Sequence, residues 1–561
     1  MSVLGSSPQR SPESAALRYP PSPNARAPSA GEEGVILHDL FQDGRVRKPR
    51  DIGHQKCDHI SVDLNHAACY RALCARDVRF DGRLFTGVKT TGIYCRPVCP
   101  ARTPRSENVT FYRSAAAAQE AGFRPCLRCR PETAPDLGAW RGTSNTVSRA
   151  LALIELGALD EADVETFAQR LGVGGRQLRR LFRRHLGASP IAVARTRRVL
   201  LAKQLIHETR LPMSEIALAA GFGSIRRFNE TFHQLFGRAP CALRRGNVAA
   251  ISAGASGGVT VLLRYRAPYD WSAILSYLQA RAIPGIEEVT NNVYARTIEI
   301  NGARGTVAVQ RADGNALRAT IRFPKLSALP TIIARLRRAF DLAADPDVIG
   351  AHLAEDRTLA PLIAARPGLR VPGAWDGFEL AVRAVLGQQI TVKAAIDLAG
   401  KLVAAYGEPL AASNIEYSRL TCTFPRPERL AGADLSSLGM PTTRAAALSS
   451  LAAAVIADPE IFCARRNLEE AIVKLRKLTG VGEWTAQYIA MRELREPDAF
   501  PSADIGLMRA LADQDGTRPS PSELLARAER WRPWRAYAAQ HLWASEARAT
   551  SVSFGALCPA F

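Results

Sequence analysis

The cysteines are the strongest constraint on this fold, because seven of the eleven lie between Cys57 and Cys129. Four of those seven form two close pairs, Cys95-Arg-Pro-Val-Cys99 and Cys126-Leu-Arg-Cys129, with 26 residues between the pairs. Two short-spaced cysteine pairs joined by a loop are the arrangement in which one zinc ion collects four thiolates in a tetrahedron. The sequence therefore predicts a site for one zinc ion here, the alternative being four unrelated buried cysteines.

The length of 561 residues predicts about three to five domains. Nowhere do 18 or more apolar residues follow one another, which argues against a membrane span. The N-terminal stretch Met1–Glu33 is rich in Ser, Pro and Ala and lacks the apolar core of a secretory signal. We therefore expect a cytoplasmic protein, associated with the nucleoid if it binds DNA.

The positive charge of the chain is unevenly distributed. Lys and Arg number 74 against 53 Asp and Glu, a net charge of +21. Residues 1–250 hold 38 basic and 22 acidic residues, a net +16, whereas residues 251–561 hold 36 and 31, a net +5. A basic half joined to a nearly balanced half indicates a polyanion-binding region linked to something else, unless the whole chain is simply arginine-rich.

Composition and hydrophobic periodicity divide the chain and predict a multidomain protein, mostly α with α+β parts. Three strands are predicted at Val259–Tyr265, Tyr294–Glu299 and Leu317–Phe323, with a helix over Asp270–Ala282 between the first two. The predicted divisions are a disordered Pro-rich leader (1–56), a small zinc domain (57–135), an all-α domain (144–247), a small-residue linker (248–258), an α+β lobe (259–370) and a helical domain (371–550).

The residues around the cysteines carry a long and specific motif, found in 81–102, 107–112 and 121–129. This stretch closely resembles the methylphosphotriester-accepting domain of Ada-type adaptive-response proteins, over roughly residues 65–135. The resemblance implies that Cys95 accepts a methyl group while it ligates zinc, and that Cys99, Cys126 and Cys129 complete the zinc shell.

The charge of such a site predicts a switch. Zinc with four thiolates has a formal charge of −2, which nearby arginines can offset while they hold the DNA backbone; the candidates are Arg96, Arg102, Arg124 and Arg128. Methylation converts the Cys95 thiolate into a neutral thioether, so the repulsion from phosphate falls and DNA binding should strengthen. The alternative is a structural zinc site without reactivity.

Two stretches, 165–185 and 214–232, each predict a helix, a glycine turn and a second helix. Together with Phe236-Gly-Arg-Ala-Pro they resemble the AraC-type DNA-binding domain, which implies binding to promoter DNA and activation through RNA polymerase. Leu178, Leu181 and Phe182 are predicted to be core residues. The side chains predicted to contact DNA are Arg176, Gln177 and Arg180 in the first unit, and Ser224, Arg226, Arg227 and Asn229 in the second.

Ada-type proteins often carry a second methyl acceptor in a Pro-Cys-His-Arg-Val motif, and the sequence contains no such motif. Cys558 lies in Leu-Cys-Pro without a neighbouring His. Alkylguanine methyltransferase activity is therefore not expected.

Leu478-Thr-Gly480-Val-Gly482-Glu-Trp484 has the form of a helix-hairpin-helix, whose glycine turn lets backbone amides approach a DNA phosphate. Asp504 follows about two dozen residues later, and hairpin plus aspartate is the arrangement of base-excision glycosylases. Further motifs extend over about residues 259–548 and resemble 3-methyladenine DNA glycosylase II, the AlkA type. These motifs are 269–271, 365–373, Phe378, 385–389, 439–441 and 531–537.

This resemblance implies roles for individual residues. Asp504, ionised beside a flipped base, would stabilise the developing sugar oxocarbenium. The predicted base pocket, which attracts a cationic purine by cation–π interaction, consists of Trp484, Tyr488, Trp543 and Tyr277. Gln389 stands where the family often has a wedging Leu, with Ile390 beside it, and which of the two fills the vacated base stack stays open.

Two departures from other relatives limit the predicted reaction. Trp484 occupies the position of the lysine nucleophile of bifunctional glycosylases, so no Schiff-base lyase step is expected. Only Cys558 follows the hairpin, so the four clustered cysteines of an iron–sulfur cluster are missing there.

The sequence as a whole predicts a monomeric fusion of an Ada-type sensor-activator with an AlkA-type glycosylase, acting on alkylated and promoter double-stranded DNA. One alternative is a transcription factor whose glycosylase-like domain only clamps DNA without catalysis. The other is a glycosylase that its basic half only tethers to DNA, with a structural zinc. Retention of Asp504, Trp484 and the Gly-Val-Gly turn argues against the first alternative.

Overall fold

The computed structural model describes residues 65–135, 145–244, 258–410, 417–463, 467–513 and 515–555. The predicted leader (1–56), Cys57, Cys558 and the linker up to residue 257 lie outside these ranges. Of the helices in the described ranges, none is both long enough and apolar enough to cross a membrane.

The zinc segment (65–135) is built around a four-stranded sheet with strand order β3-β1-β2-β4. Its strands are β1 Phe85–Val88, β2 Ile93–Cys95, β3 Val109–Tyr112 and β4 Arg124–Pro125, and its helices are α1 His66–Cys74 and α2 Ala115–Glu120. Strands β2 and β4 pair in parallel, with Tyr94 opposite Pro125. Because parallel strands end at the same sheet edge, the chain reaches Cys95 and Cys126 side by side.

The helix-turn-helix segment (145–244) consists of helices joined by short turns. These helices are α3 Asn145–Glu155, α4 Ala158–Glu161, α5 Val164–Arg170, α6 Gly175–Leu186, α7 Pro190–Glu208, α8 Met213–Ala219 and α9 Ile225–Phe236. Both predicted second helices, α6 and α9, bury one stripe spaced every four residues and leave the other faces exposed. Leu178 and Phe182 are buried as predicted, whereas Leu181 is only partly buried.

The α+β part of the glycosylase segment (258–555) contains a five-stranded antiparallel sheet with the order β5-β9-β8-β7-β6. Its strands are β5 Val259–Arg264, β6 Glu287–Thr290, β7 Val293–Ile300, β8 Ala303–Ala312 and β9 Ala316–Arg322, with helix α10 Trp271–Gln279 between β5 and β6. The multidomain α and α+β fold class is confirmed.

The sequence reading missed strands β6 and β8. Strand β6 has two glutamates and reads as polar, but Glu287 is buried because Arg383 and Tyr294 bind its carboxylate. Strand β8 has only Val307 and Val309 as large apolar side chains, and at Gly305 a side chain is excluded because a Cβ would lie 2.1 Å from the Arg322 carbonyl oxygen. Both strands therefore form through tertiary pairing rather than through a strong local pattern.

The rest of the glycosylase segment is helical apart from a two-stranded pair, β10 Glu408–Pro409 with β11 Cys422–Thr423. The helices are α11 Leu329–Ala339, α12 Pro346–Leu353, α13 Ala360–Ala365, α14 Gly377–Leu386, α15 Val392–Tyr406, α16 Pro427–Leu430, α17 Thr442–Ala457, α18 Leu468–Leu475, α19 Glu483–Arg492, α20 Ile505–Ala510, α21 Pro521–Ala528 and α22 Arg535–Gly555. Helices α14, α17 and α19 pack around one large apolar core.

The second helix-turn-helix unit and the five-stranded sheet share one hydrophobic core. Phe228 and Phe232 from α9 belong to the same buried cluster as Val261 and Leu263 from β5 and Ile332 from α11. The helix-turn-helix segment is therefore packed directly onto the glycosylase segment rather than joined to it by a linker alone.

A buried ionic cluster attaches the sheet to helix α14. Arg296 on β7 donates from Nη2 to Glu379 Oε2 at 2.7 Å, and Arg383 donates from Nη2 to Glu379 Oε1 at 2.7 Å and to Glu287 Oε2 at 2.6 Å. Burial opposes ionisation of Glu379, but the charges of Arg296 and Arg383 outweigh it and lower its pKa to about 2. Helix α14 leads directly into the loop that holds Gln389, so this cluster sets the position of that loop.

Substituting Glu379→Gln should lower the free energy of unfolding by about 3 kcal/mol, because two buried guanidinium groups lose one of their two carboxylate partners and keep only Glu287. In the folded chain the pKa of Glu379 lies below its ordinary value of 4.5. The stabilisation that its ion pairs provide is therefore complete above pH 4.5 and is lost as the pH falls toward 2. Urea unfolding followed by tryptophan fluorescence, at pH 7 and at steps down to pH 3, measures the difference from the parent chain. Glu355→Gln, at an exposed carboxylate, is the control; an equal effect of both variants contradicts the assignment.

Candidate functional site

The four predicted zinc cysteines converge at one end of the small sheet. Cys95 ends β2, Cys126 follows β4, and the sulfur atoms of Cys95, Cys99, Cys126 and Cys129 all lie within 4.8 Å of one another. Zinc–sulfur bonds of about 2.3 Å place tetrahedral sulfurs about 3.8 Å apart, so this set fits one zinc ion. The predicted zinc site is confirmed.

The four cysteine residues differ in their exposure to solvent. Cys95 is partly exposed, whereas Cys99, Cys126 and Cys129 are buried. The backbone N–H of Arg96 donates to Cys129 Sγ at 3.4 Å, and that of Arg128 donates to Cys126 Sγ at 3.3 Å. Such donors stabilise negative charge on the sulfurs that they contact. Cys95 is therefore the most exposed residue of this set.

The arginines around the cluster differ from the simple expectation that all four face DNA. Arg96 is largely buried, and Asp81 binds its guanidinium at both carboxylate oxygens. Arg102 and Arg128 are exposed, and Arg124 is partly buried. Arg96 therefore has an internal counter-charge, and the predicted contact with phosphate is left mainly to the exposed Arg102 and Arg128.

The predicted DNA-contacting side chains are exposed, and they lie in the first two turns of α6 and α9 or, for Ser224, directly before α9. In the second unit the Ser224 hydroxyl accepts a hydrogen bond from the Arg227 backbone N–H at 3.1 Å and so caps α9. Arg226 donates from Nε to Glu230 Oε1 at 2.8 Å. Contact with bases stays a prediction for all seven residues: Arg176, Gln177, Arg180, Ser224, Arg226, Arg227 and Asn229.

The carboxylate of Asp504 is held by two indole rings. Trp484 Nε1 donates to Oδ2 at 2.8 Å, and Trp543 Nε1 donates to Oδ1 at 2.8 Å. Asp504 also caps helix α20, since Oδ1 accepts from the Leu507 backbone N–H at 3.0 Å. Three N–H donors thus fix a partly exposed carboxylate beside two aromatic rings.

The four predicted pocket aromatics lie next to one another. Trp484 and Tyr488, one helical turn apart on α19, stack with ring centroids 5.2 Å apart and an interplanar angle of 9°. The Tyr277 and Tyr488 hydroxyls are 3.1 Å apart. With Trp543 attached through Asp504, the rings form one partly exposed aromatic cluster around the carboxylate.

Two arginines of this cluster were missed by the sequence reading. The buried Arg492 guanidinium lies 4.6 Å from the Tyr277 ring centroid, 4.9 Å from that of Tyr488 and 5.6 Å from that of Trp543, and Arg281 lies 4.1 Å from that of Tyr277. A signal was present, because Trp484, Tyr488 and Arg492 follow each other at four-residue spacing on one helix face.

The pKa values of Tyr277 and Tyr488 are shifted in opposite directions. Burial raises the pKa of Tyr488 to about 12. At Tyr277 burial acts in the same direction, but the charges of Arg492 and Arg281 outweigh it and lower the pKa. Tyr277 is therefore the more acidic partner of the tyrosine pair.

The predicted wedge residues lie in a loop that is hydrogen-bonded to the hairpin. Gln389 is exposed and has a positive φ of 59°, whereas Ile390 is partly buried. The preceding Gln388 donates from Nε2 to the Gly480 carbonyl oxygen at 2.8 Å and to Thr485 Oγ1 at 3.0 Å. Gln388 lies in the motif 385–389, but nothing local predicts its bond to a residue 92 positions away.

The two hairpin glycines serve different purposes. Gly480 has φ of 79°, and a Cβ there would lie 2.7 Å from Ala447 Cβ. Gly482 begins helix α19 without a side-chain cap, and a Cβ there would meet nothing within 4 Å. The amino end of α19 therefore combines open space with the positive end of a helix dipole, a favourable site for a phosphate.

Four family models match successive parts of the chain. They are the metal binding domain of Ada over residues 68–132, a helix-turn-helix domain over 167–246, the AlkA N-terminal domain over 260–376, and the HhH-GPD superfamily of base excision DNA repair proteins over 382–536. These matches confirm the family resemblances that the motifs indicated. The exact predicted domain boundaries stay predictions.

Curated relatives agree with this order of parts. A probable bifunctional transcriptional activator/DNA repair enzyme AlkA of Mycobacterium tuberculosis is 42% identical over 85% of this chain and 95% of its own length. The DNA-3-methyladenine glycosylase 2 of Escherichia coli is 36% identical over 51% of this chain and 96% of its own length. The bifunctional transcriptional activator/DNA repair enzyme Ada of Escherichia coli is 38% identical over 22% of this chain and 33% of its own length.

The purified chain should contain one zinc ion, and Cys99→Ser or Cys126→Ser should reduce that content severely, because a buried hydroxyl replaces a thiolate ligand. Metal analysis by mass spectrometry after gel filtration measures the ratio. Cys74→Ser is the matched control, since Cys74 is an exposed cysteine of the same segment outside the cluster. Full zinc content in both ligand variants contradicts the four-cysteine site.

Proposed function

The chain belongs to the family of the bifunctional transcriptional activator/DNA repair enzyme AlkA, and we propose that it combines three activities on DNA. It removes methyl groups from DNA phosphotriesters, activates repair genes in response, and excises alkylated purines such as 3-methyladenine. The observation that carries the excision activity is the Asp504 carboxylate, held by two indole N–H groups within an aromatic cluster.

In the proposed excision, a flipped alkylated purine stacks against the aromatic cluster while Asp504 faces its sugar. The cationic base is already a good leaving group, so the protein must mainly stabilise the positive charge that develops on the sugar. The Trp484 and Trp543 N–H groups keep the carboxylate oriented. Water then takes the place of the base, and no covalent intermediate forms with the chain because Trp484 stands where a lysine nucleophile would be needed.

The buried Arg492 has a consequence for base choice. Its guanidinium lies against three of the four pocket rings, so these rings already make a cation–π contact inside the protein. Trp484 has no arginine contact of this kind among the described residues and is the ring best suited to stack on a cationic base. Tyr277, Tyr488 and Trp543 then shape the walls of the pocket.

Gln389 is the proposed wedge rather than the partly buried Ile390 beside it. The exposure of Gln389 and the bonds that tie Gln388 to the hairpin support this choice, because a wedge must be both accessible and rigidly carried. Gly480 and Gly482 hold the DNA backbone on the same side, through amides at the start of α19.

Cys95 is the proposed methyl acceptor. In the reaction, Cys95 Sγ attacks the methyl carbon of a phosphotriester, the new S–C bond forms as the ester C–O bond breaks, and the electron pair leaves on the phosphodiester oxygen. Zinc, when bound, keeps the cysteine sulfurs deprotonated at neutral pH. The partial exposure of Cys95, against three buried partners, supports its assignment as the reactive sulfur.

Methylation then changes the charge that DNA meets. One thiolate charge is lost from the cluster, so the electrostatic repulsion of phosphate falls while the exposed Arg102 and Arg128 remain. The strengthened complex places α6 and α9 on promoter DNA, where the chain acts as a nucleoid-bound monomer that recruits RNA polymerase. A transcription factor with an inert glycosylase segment has no need of the organised Asp504, which argues for the enzyme.

The Asp504→Asn substitution should slow release of methylated purine from alkylated duplex DNA by about 10²-fold or more, because a neutral amide cannot stabilise the oxocarbenium. Single-turnover release of radiolabelled base measures the rate. Asp513→Asn, at an exposed aspartate nearby, should behave as the parent chain does. Absence of release by the parent chain would remove the excision claim and favour the DNA-clamping alternative.

Exposure of the chain to DNA that contains methylphosphotriesters should add one methyl group to Cys95, and peptide mass spectrometry locates it. Cys95→Ser should abolish the transfer, whereas Cys74→Ser should leave it intact. Because methylation removes a charge, the methylated chain should bind promoter DNA more tightly, with the larger gain at low salt. Methyl mainly on Cys99, or none on the parent chain, overturns the sensor assignment.

A further inference from the structure

A buried arginine of the glycosylase segment contacts the zinc segment. Arg266 follows strand β5, and its side chain is only 5% exposed. Its Nη2 donates to the Asp81 carbonyl oxygen at 2.6 Å, and its Nη1 donates to the carbonyl oxygens of Arg79 at 3.0 Å and Val78 at 3.4 Å. One guanidinium thus satisfies three carbonyls at the turn 78–81, a task that its several fixed donors suit.

The side chain of Asp81 continues this contact toward the cysteines. Its Oδ1 accepts from Arg96 Nε at 2.7 Å, and its Oδ2 pairs with Arg96 Nη2. Arg96 also donates from Nη1 to the Cys129 carbonyl oxygen at 3.0 Å and to Thr133 Oγ1 at 2.6 Å. Arg96 is the residue directly after Cys95, so this clamp fixes the backbone at the proposed methyl acceptor.

Neighbouring groups hold both ends of this chain of contacts in place. Asp345 lies 3.4 Å from Arg266 Nε and also pairs with Arg83 of the zinc segment. The Arg266 carbonyl oxygen accepts from the buried Arg370. Gly82 fits closely because a Cβ there would lie 2.3 Å from the Pro135 carbonyl oxygen. The turn 78–83 is therefore fixed by residues from two segments of the protein.

We propose that Arg266, in the glycosylase segment, is a positioning residue for methyl transfer to Cys95, acting through Asp81 and Arg96. The inference rests on the proposed methyl-acceptor function. Attack on a methyl carbon needs the sulfur aligned with the breaking C–O bond, and small displacements of a nucleophile cost large factors in rate. The glycosylase segment therefore completes the methyl-acceptor site, and the two repair activities are structurally linked.

The test uses the full-length, zinc-loaded chain with Arg266→Ala, Arg266→Lys, Asp81→Asn and the double variant Arg266→Ala/Asp81→Asn. Arg311→Ala is the matched control, since Arg311 is exposed on β8 of the same sheet. Single-turnover methylation of Cys95 is followed by intact mass spectrometry over a range of concentrations of methylphosphotriester DNA. Zinc content and release of methylated purine are measured on the same preparations.

Arg266→Ala should lower the maximal methylation rate by about tenfold, with zinc content, purine release and the half-saturating DNA concentration close to those of the parent chain. Arg266→Lys should recover part of the rate, because an ammonium can still reach one carbonyl. Asp81→Asn should slow the reaction similarly, and the double variant should be no slower than the slower single variant, since both act on one path.

Several outcomes overturn the inference. If Cys95 of the parent chain is methylated and Arg266→Ala reacts at the same maximal rate, Arg266 has no positioning role. An unmethylated parent chain overturns the proposed methyl-acceptor function and this inference with it. If Arg266→Ala loses zinc or purine release, the Asp81→Asn variant decides, because it keeps the backbone carbonyl that Arg266 binds. A normal methylation rate of Asp81→Asn contradicts the path through Asp81 and Arg96. A slow methylation rate with full zinc content supports it.

Discussion

The arrangement of the three segments depends on a buried lysine in helix α7. Lys203 has no exposed side-chain surface, and its Nζ contacts Glu132 Oε2 at 2.5 Å and the Cys126 carbonyl oxygen at 3.0 Å. Burial of an unpaired ammonium is costly, so the helix and the zinc segment must stay together. Burial also opposes ionisation of Glu132, but His207 and Lys203 outweigh it and lower its pKa to about 2.

The same helix binds the glycosylase segment one turn later. Glu208 Oε2 accepts from the Leu262 backbone N–H at 3.1 Å, and Glu208 Oε1 pairs with Arg130 of the zinc segment at 3.2 Å. Helix α7 of the helix-turn-helix segment thus connects the zinc segment with the five-stranded sheet. Its Lys203 and Glu208 would lose their hydrogen-bond and ion-pair partners if these segments separated. The three segments are thus in direct contact through buried groups, and Arg266 gives a second such contact between the glycosylase segment and the zinc segment.

The net charge of each half of the chain does not tell which charged residues are available to DNA. Some basic residues of 1–250 are internal and neutralised within the same half, since Arg96 pairs with Asp81 and Lys203 pairs with Glu132, so these pairs add nothing to the net +16. The exposed arginines of α6 and α9 remain for DNA. The nearly balanced glycosylase segment offers backbone amides, an exposed glutamine and aromatic rings instead, features that contribute nothing to a count of charges.

The sequence by itself determined the groups whose chemistry depends on local spacing. Two cysteine pairs, two helix-turn-helix units, the Gly-Val-Gly turn and Asp504 are each recognisable within a short stretch, because zinc, a major groove and a phosphate impose fixed local geometry. Only the tertiary structure decided what surrounds them. Strands β6 and β8, the bond from Gln388 to the hairpin, Arg492 behind the pocket rings and Arg266 on the zinc segment all depend on partners far away in the chain. Such partners follow from packing and from the pairing of buried charge, which no local pattern records.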